Sequence, residues 1–220
     1  MDEGTPRLLL EGRPGIGKTT VARRLLTLLQ EAGVPVAGFT TGELRTGGHR
    51  EGFLVEAVSG VREVLAHVDL PGPPRVGKYG VDLAALERVG LPALGDAGLG
   101  GVVVVDELGR MELASAAFRA AVVDLLGRDV AVVATVHQTR DRFTDGLRRR
   151  PDIRVIRITE ALPETAHNFR LDLIVPVRRS SAAAAPDGPT GSSGSTWMRP
   201  RSPPFPALAA RTRQDRTLQP

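Results

Sequence analysis

The sequence predicts an α/β protein of three layers: a parallel β-sheet between helices, a β-hairpin inserted after the first helix, and a disordered C-terminal tail. Three observations carry this expectation. A glycine-rich loop, Gly12-Arg13-Pro14-Gly15-Ile16-Gly17-Lys18-Thr19, stands between the apolar run Leu8-Leu9-Leu10 and a segment with apolar residues at helical spacing. The β-branched run Val102-Val103-Val104-Val105 has the character of a strand buried on both faces, and it ends in Asp106-Glu107. Strand and helix patterns then alternate to about residue 159, which implies right-handed crossovers.

The loop fits G-x-x-x-x-G-K-[ST], the Walker A pattern, and its strand–loop–helix flanks give the pattern a mechanism. Its glycines let successive backbone N–H groups converge on a polyphosphate at the positive end of a helix. Gly12, Arg13, Pro14, Gly15, Ile16, Gly17, Lys18, Thr19 and Thr20 are therefore candidate nucleotide-binding residues. Lys18 can reach the β- and γ-phosphates as a point charge, and the Thr19 hydroxyl can ligate Mg2+. Acids at the end of a central strand lie where ligands gather in open α/β sheets. Asp106 is the second expected Mg2+ ligand, in the manner of a Walker B acid, and Glu107 can polarise an attacking water.

In chain order, a helix is expected from about Lys18 to Ala32, stopped at Gly33. A strand follows over 34–41. Short strands at 42–45 and 52–57 around the Thr46-Gly47-Gly48-His49 turn make a hairpin placed to fold over the nucleotide. A further strand at 61–66 is closed by the prolines between Pro71 and Pro74. A helix is expected over 81–94 with Asp82 as N-cap, then the central strand, and a helix over 116–126. A strand over 130–136, a basic helix over 141–150 and an edge strand over 153–159 complete the pattern.

Composition sets the limits. A chain of 220 residues suits one domain, expected over 1–178, with an appendage. There is no cysteine, hence no disulfide and no thiolate metal site. No apolar run approaches the about 18 residues of a membrane helix. A cytoplasmic monomer without a membrane partner is expected. The pI of 10.5 suggests nucleic acid until the charge is located. Of 29 basic and 25 acidic residues, six Arg and two Asp lie in 179–220, so the tail supplies the whole +4 and the rest is balanced. Nucleic acid is not expected as the main partner. The tail, rich in Pro, Ala, Ser and Arg, cannot bury enough apolar surface to offset its ordering entropy. Its Trp197 is the one candidate anchor there.

These motifs resemble the small P-loop nucleoside-triphosphatases that include the vertebrate cancer-related nucleoside-triphosphatase and its archaeal and bacterial relatives. The resemblance is carried by Gly12–Thr20, by Gly38-Phe39-Thr40-Thr41-Gly42-Glu43-Leu44-Arg45 and by Val76-Gly77-Lys78-Tyr79-Gly80-Val81. Asp106-Glu107-Leu108-Gly109-Arg110-Met111-Glu112-Leu113 and Arg149-Arg150-Pro151-Asp152 complete it. It implies a RecA-like fold and Mg-dependent hydrolysis of ATP, GTP, CTP and UTP to the diphosphate and phosphate, with little base selectivity. Three positions depart from the family's pattern: Glu11 before the loop, Gly42 in place of an acid, and Thr159-Glu160 where relatives carry an Asn-Arg pair.

Catalysis then falls to Glu107 and Lys18, with Arg110 as first candidate for an arginine finger and Arg140 and Arg142 after it. Two other classes share some of these features. A small-molecule kinase has a similar loop, but a glutamate after the strand-end aspartate admits water that a kinase must exclude. A guanine-specific switch carries Asn-Lys-x-Asp, which is absent, since Lys18 and Lys78 are the only lysines.

Overall fold

Nine strands form one continuous sheet in the computed structural model, which describes residues 5–95 and 97–159. Its elements are β1 (Arg7–Gly12), α1 (Lys18–Glu31), β2 (Val36–Thr46), β3 (His49–Ala57), β4 (Arg62–His67), β5 (Arg75–Val76) and β6 (Tyr79–Val81). They continue with α2 (Leu83–Ala93), β7 (Val102–Leu108), a 3-10 turn (Glu112–Ala114), α3 (Ala116–Leu125), β8 (Ala131–His137), α4 (Arg142–Arg148) and β9 (Arg154–Arg157). The expected tail over 179–220, Trp197 and the departure at Glu160 lie outside the described residues.

The strand order is β5-β6-β4-β3-β2-β7-β8-β1-β9. From β2 to β9 every neighbouring pair is parallel, and from β2 to β5 every pair is antiparallel. The two-residue period of a strand sends alternate side chains to opposite faces, and β7 shows the consequence. Val102 and Val104 join Leu8, Leu10, Leu25, Leu29 and Val133 beneath α1. Val103 and Val105 join Leu9, Phe39, Leu86, Phe118 and Leu125 beneath α2 and α3. Two cores, one per face, give the three layers expected of the valine run. Each buried Leu or Phe contributes about 1.5–3 kcal/mol, and truncating fully buried Leu25 to Ala costs about 2–5 kcal/mol. At Gly38 a Cβ would lie 1.8 Å from the Val104 carbonyl oxygen, so only glycine lets β2 lie this close to β7.

The hairpin departs from expectation in one respect. Residues 34–41 and 42–45 do not form separate strands; β2 runs unbroken to Thr46 and extends the sheet. Its last parallel pair is Phe39 with Val105, and residues 40–46 continue on β3 alone. Helix α2 begins at Leu83 rather than Val81, because the Val81 N–H donates to the Pro74 carbonyl and Val81 pairs with Ala66 in β6. Asp82 caps α2 by accepting the Ala85 N–H at 2.9 Å. Helix α4 is shorter than its basic pattern, with Asp141 capping it through the Phe143 and Thr144 N–H groups. Strand β9 forms the sheet edge expected of it, with Arg154 and Arg157 exposed.

Candidate active site

The strand ends and the start of α1 bring four reactive side chains together. Parallel register places Gly12, the first residue of the loop, opposite His137, the last of β8. Between β7 and β8, Val105 pairs with Ala134 and Leu108 with Val136, so Asp106 and Glu107 together oppose Thr135. Two residues against one is a β-bulge, a device that re-aims side chains beside functional sites. The loop turns at Gly15 (φ 78) and Gly17 (φ 97), left-handed conformations that glycine adopts without strain, and Gly17 leads into α1.

Lys18 is only 5% exposed and arches back over its own loop. Its Nζ donates to the Arg13 carbonyl at 3.4 Å and lies 3.3 Å from Glu107 Oε2. The other carboxylate oxygen, Glu107 Oε1, lies 2.5 Å from His137 Nε2. Glu107 is thus held from both sides. Burial pushes its pKa up, but the hydrogen bond from His137 and the charge of Lys18 outweigh this and leave it below the usual range.

Asp106 is fully buried. Its Oδ1 accepts the Thr135 hydroxyl at 2.6 Å, while Oδ2 has no hydrogen-bond partner among the described residues. Burial raises its pKa, and the nearby Thr19 hydroxyl and Thr41 N–H only partly oppose that. A buried carboxylate oxygen without a partner, beside a threonine hydroxyl, is the donor chemistry of a small hard cation. The residues present therefore fit Mg2+.

Two further groups lie beside this arrangement. Glu112, 4% exposed, has its pKa pushed up to about 8 by burial and then by the charges of Glu107 and Asp106. Arg148 of α4 donates to Glu11 Oε1 and Asp145 Oδ1 at 2.8 Å, to the Thr144 hydroxyl at 2.9 Å and to the His137 carbonyl. With Arg157 also on Glu11 at 3.2 Å, the unusual acid before the loop is an ion-pair acceptor that ties β1 to α4 and β9.

The family described as NTPase matches residues 7–167. This chain belongs to that NTPase family. It is 40% identical over 155 residues to the nucleoside-triphosphatase THEP1 of a Thermotoga species (strain RQ2), covering 70% of this chain and 87% of that one. It is 36% identical over 187 residues to the human cancer-related nucleoside-triphosphatase, covering 79% and 97%. The crystal structure of THEP1 from Aquifex aeolicus matches with a TM-score of 0.67 at 27% identity, covering 76% of this chain and 98% of that one. The resemblance carried by the motifs, the P-loop α/β fold and the assignment to an enzyme family of the hydrolase class are thereby borne out.

Within this NTPase chain, the structure gathers Lys18, Thr19, Asp106 and Glu107 at the mouth of the Gly12–Thr20 loop. Arg110 is exposed in the turn after β7 and makes no hydrogen bond or ion pair among the described residues. Arg140 is exposed and lies 3.7 Å from Asp145, and Arg142 is exposed at the start of α4. Sequence reasoning passed over His137, Thr135, Glu112 and Arg148. The strand-end rule that found Asp106 applies equally to β8 and would have found His137.

Proposed function

We propose that this chain hydrolyses the γ-phosphate of ATP, GTP, CTP and UTP, with Mg2+ as cofactor and little base selectivity, as a cytoplasmic monomer. The observation that supports this best is the Glu107 carboxylate 3.3 Å from the Lys18 amine at the loop mouth. A carboxylate there stands beside the terminal phosphate of any polyphosphate that the loop holds.

In this mechanism Lys18 leaves Glu107 for the β- and γ-phosphate oxygens, and the N–H groups of residues 15–19 hold the same phosphates. Asp106 and Thr19 hold Mg2+, which when bound supplies positive charge against the phosphate oxygens. Glu107, still hydrogen-bonded by His137, orients a water in line with the γ-phosphorus and draws on its proton. A bond forms from the water oxygen to phosphorus, and the bond to the β,γ-bridging oxygen breaks. The bonding pair leaves with the diphosphate. Lys18 and the loop amides stabilise the charge that develops on the transferred group, which is where most of the acceleration lies.

The test is phosphate release from ATP, GTP, CTP and UTP without any acceptor, with Mg2+ and with a chelator. Comparable release from each triphosphate, abolished by the chelator, is expected. Almost no phosphate release, with diphosphate formed only once an acceptor is added, would instead make the chain a kinase, and release from one base alone would remove the broad selectivity.

A further inference from the structure

Glu107 has two partners in the free protein, and one of them must leave. When Lys18 moves to a bound polyphosphate, Glu107 keeps only the contact on Oε1. The γ-phosphate arrives with negative charge of its own, so an untethered carboxylate would turn away from it or follow Lys18. The contact that survives is His137 Nε2, at 2.5 Å.

His137 is built to stay. Its backbone pairs in register with Gly12, and its carbonyl accepts from Arg148, which is itself fixed by Glu11, Asp145 and Thr144. The ring therefore projects from a rigid strand end rather than from a loop. An imidazole with its proton on Nε2 donates to Glu107 Oε1 and leaves Oε2 aimed at the loop mouth.

The geometry points to His137 as a positioning residue, one that holds Glu107 by Oε1 so that Oε2 stays beside the γ-phosphate after Lys18 has moved away. Its role rests on Glu107 being the water-orienting group. A misplacement of about 1 Å at a reacting group lowers turnover by about 10²-fold, so losing the tether has a kinetic signature. Ground-state nucleotide binding, which depends on the loop and Lys18, does not share it.

The experiment measures kcat by phosphate release and Kd with a fluorescent triphosphate for H137A, H137N, H137Q, E107Q and the H137A/E107Q double variant. H137A is expected to lower kcat by about 10- to 10²-fold with Kd little changed. H137N places its amide nitrogen near the Nδ1 position, too short to reach Glu107, and should match H137A. H137Q carries an amide nitrogen near the Nε2 position and should recover most of the turnover. In the E107Q background, H137A should change nothing further. Parental kcat in H137A and H137N, or H137Q no better than H137A, would overturn the assignment. So would an added loss in the double variant, because His137 would then act independently of Glu107. If E107Q alone turns over like the parent, the failure lies with the water-orienting role of Glu107, and the tether falls with it.

Discussion

In the antiparallel half of the sheet, Glu43 lies 2.6 Å from both Arg45 and Arg50, and all three side chains are more than a third exposed. In the parallel half, Asp106 is fully buried with one oxygen unpaired among the described residues, and Lys18 and Glu112 are almost as deep. The residue types are similar, but their energetics differ. Exposed ion pairs are screened by water and contribute little, whereas a buried charge or unpaired oxygen is expensive and persists only where something else requires it. The hairpin spends its charges on holding β2 to β3, and the strand ends of the parallel half concentrate theirs on one point. Carboxylates buried this deeply would be stability defects in a purely structural sheet.

The largest difference between the halves should appear at Lys18. Lys18→Ala should lower kcat by about 10²–10³-fold and weaken nucleotide binding as well, checked by phosphate release and nucleotide titration. Parental binding would place the polyphosphate elsewhere. Next comes Glu112. Its native pKa of about 8 lies above the ordinary 4.5, so between those values the folded state binds more protons than the unfolded state. Stability is therefore fully retained below about pH 4.5 and falls as pH rises toward 8, by about 1.4 kcal/mol per pH unit for a full proton. Denaturant unfolding across that window, without nucleotide or metal, should show Glu112→Gln with a shallower slope than the parent. Equal slopes would mean that Glu112 is ionised in place.

Thr135→Val is a smaller change, which removes the hydroxyl that donates to Asp106 Oδ1. It should destabilise the metal-free protein by about 1–3 kcal/mol in the same unfolding assay. Glu43→Gln, in the other half, should shift stability by less than about 1 kcal/mol and leave turnover unchanged. A large effect there would end the contrast between the halves.

The parallel half was the more legible one. The loop, the valine run and the acids after it are local patterns whose geometry follows from strand and helix periods, and the structure brings them together as those periods require. The antiparallel half depends on which strands pair rather than on local pattern, although its partners lie near one another in sequence. Val81 has no local mark of a strand and becomes one by pairing with Ala66, and Gly42 looked like a break in β2 until β3 carried the strand through it. At the site, the bulge that sets Asp106 and Glu107 against Thr135 leaves no signature in the residues themselves. His137 ends a buried strand, but its proximity to Glu107 is a matter of register. For Arg110 the motif fixes the place in sequence, while the turn after β7 leaves the side chain exposed.

The central claim is that a carboxylate beside the loop lysine drives hydrolysis, and Glu107→Gln tests it most directly. Measured together, triphosphate affinity should be retained or tightened, because Lys18 is released from its ion pair, while turnover falls by about 10²–10⁴-fold. Turnover at the parental rate in that variant would contradict the account.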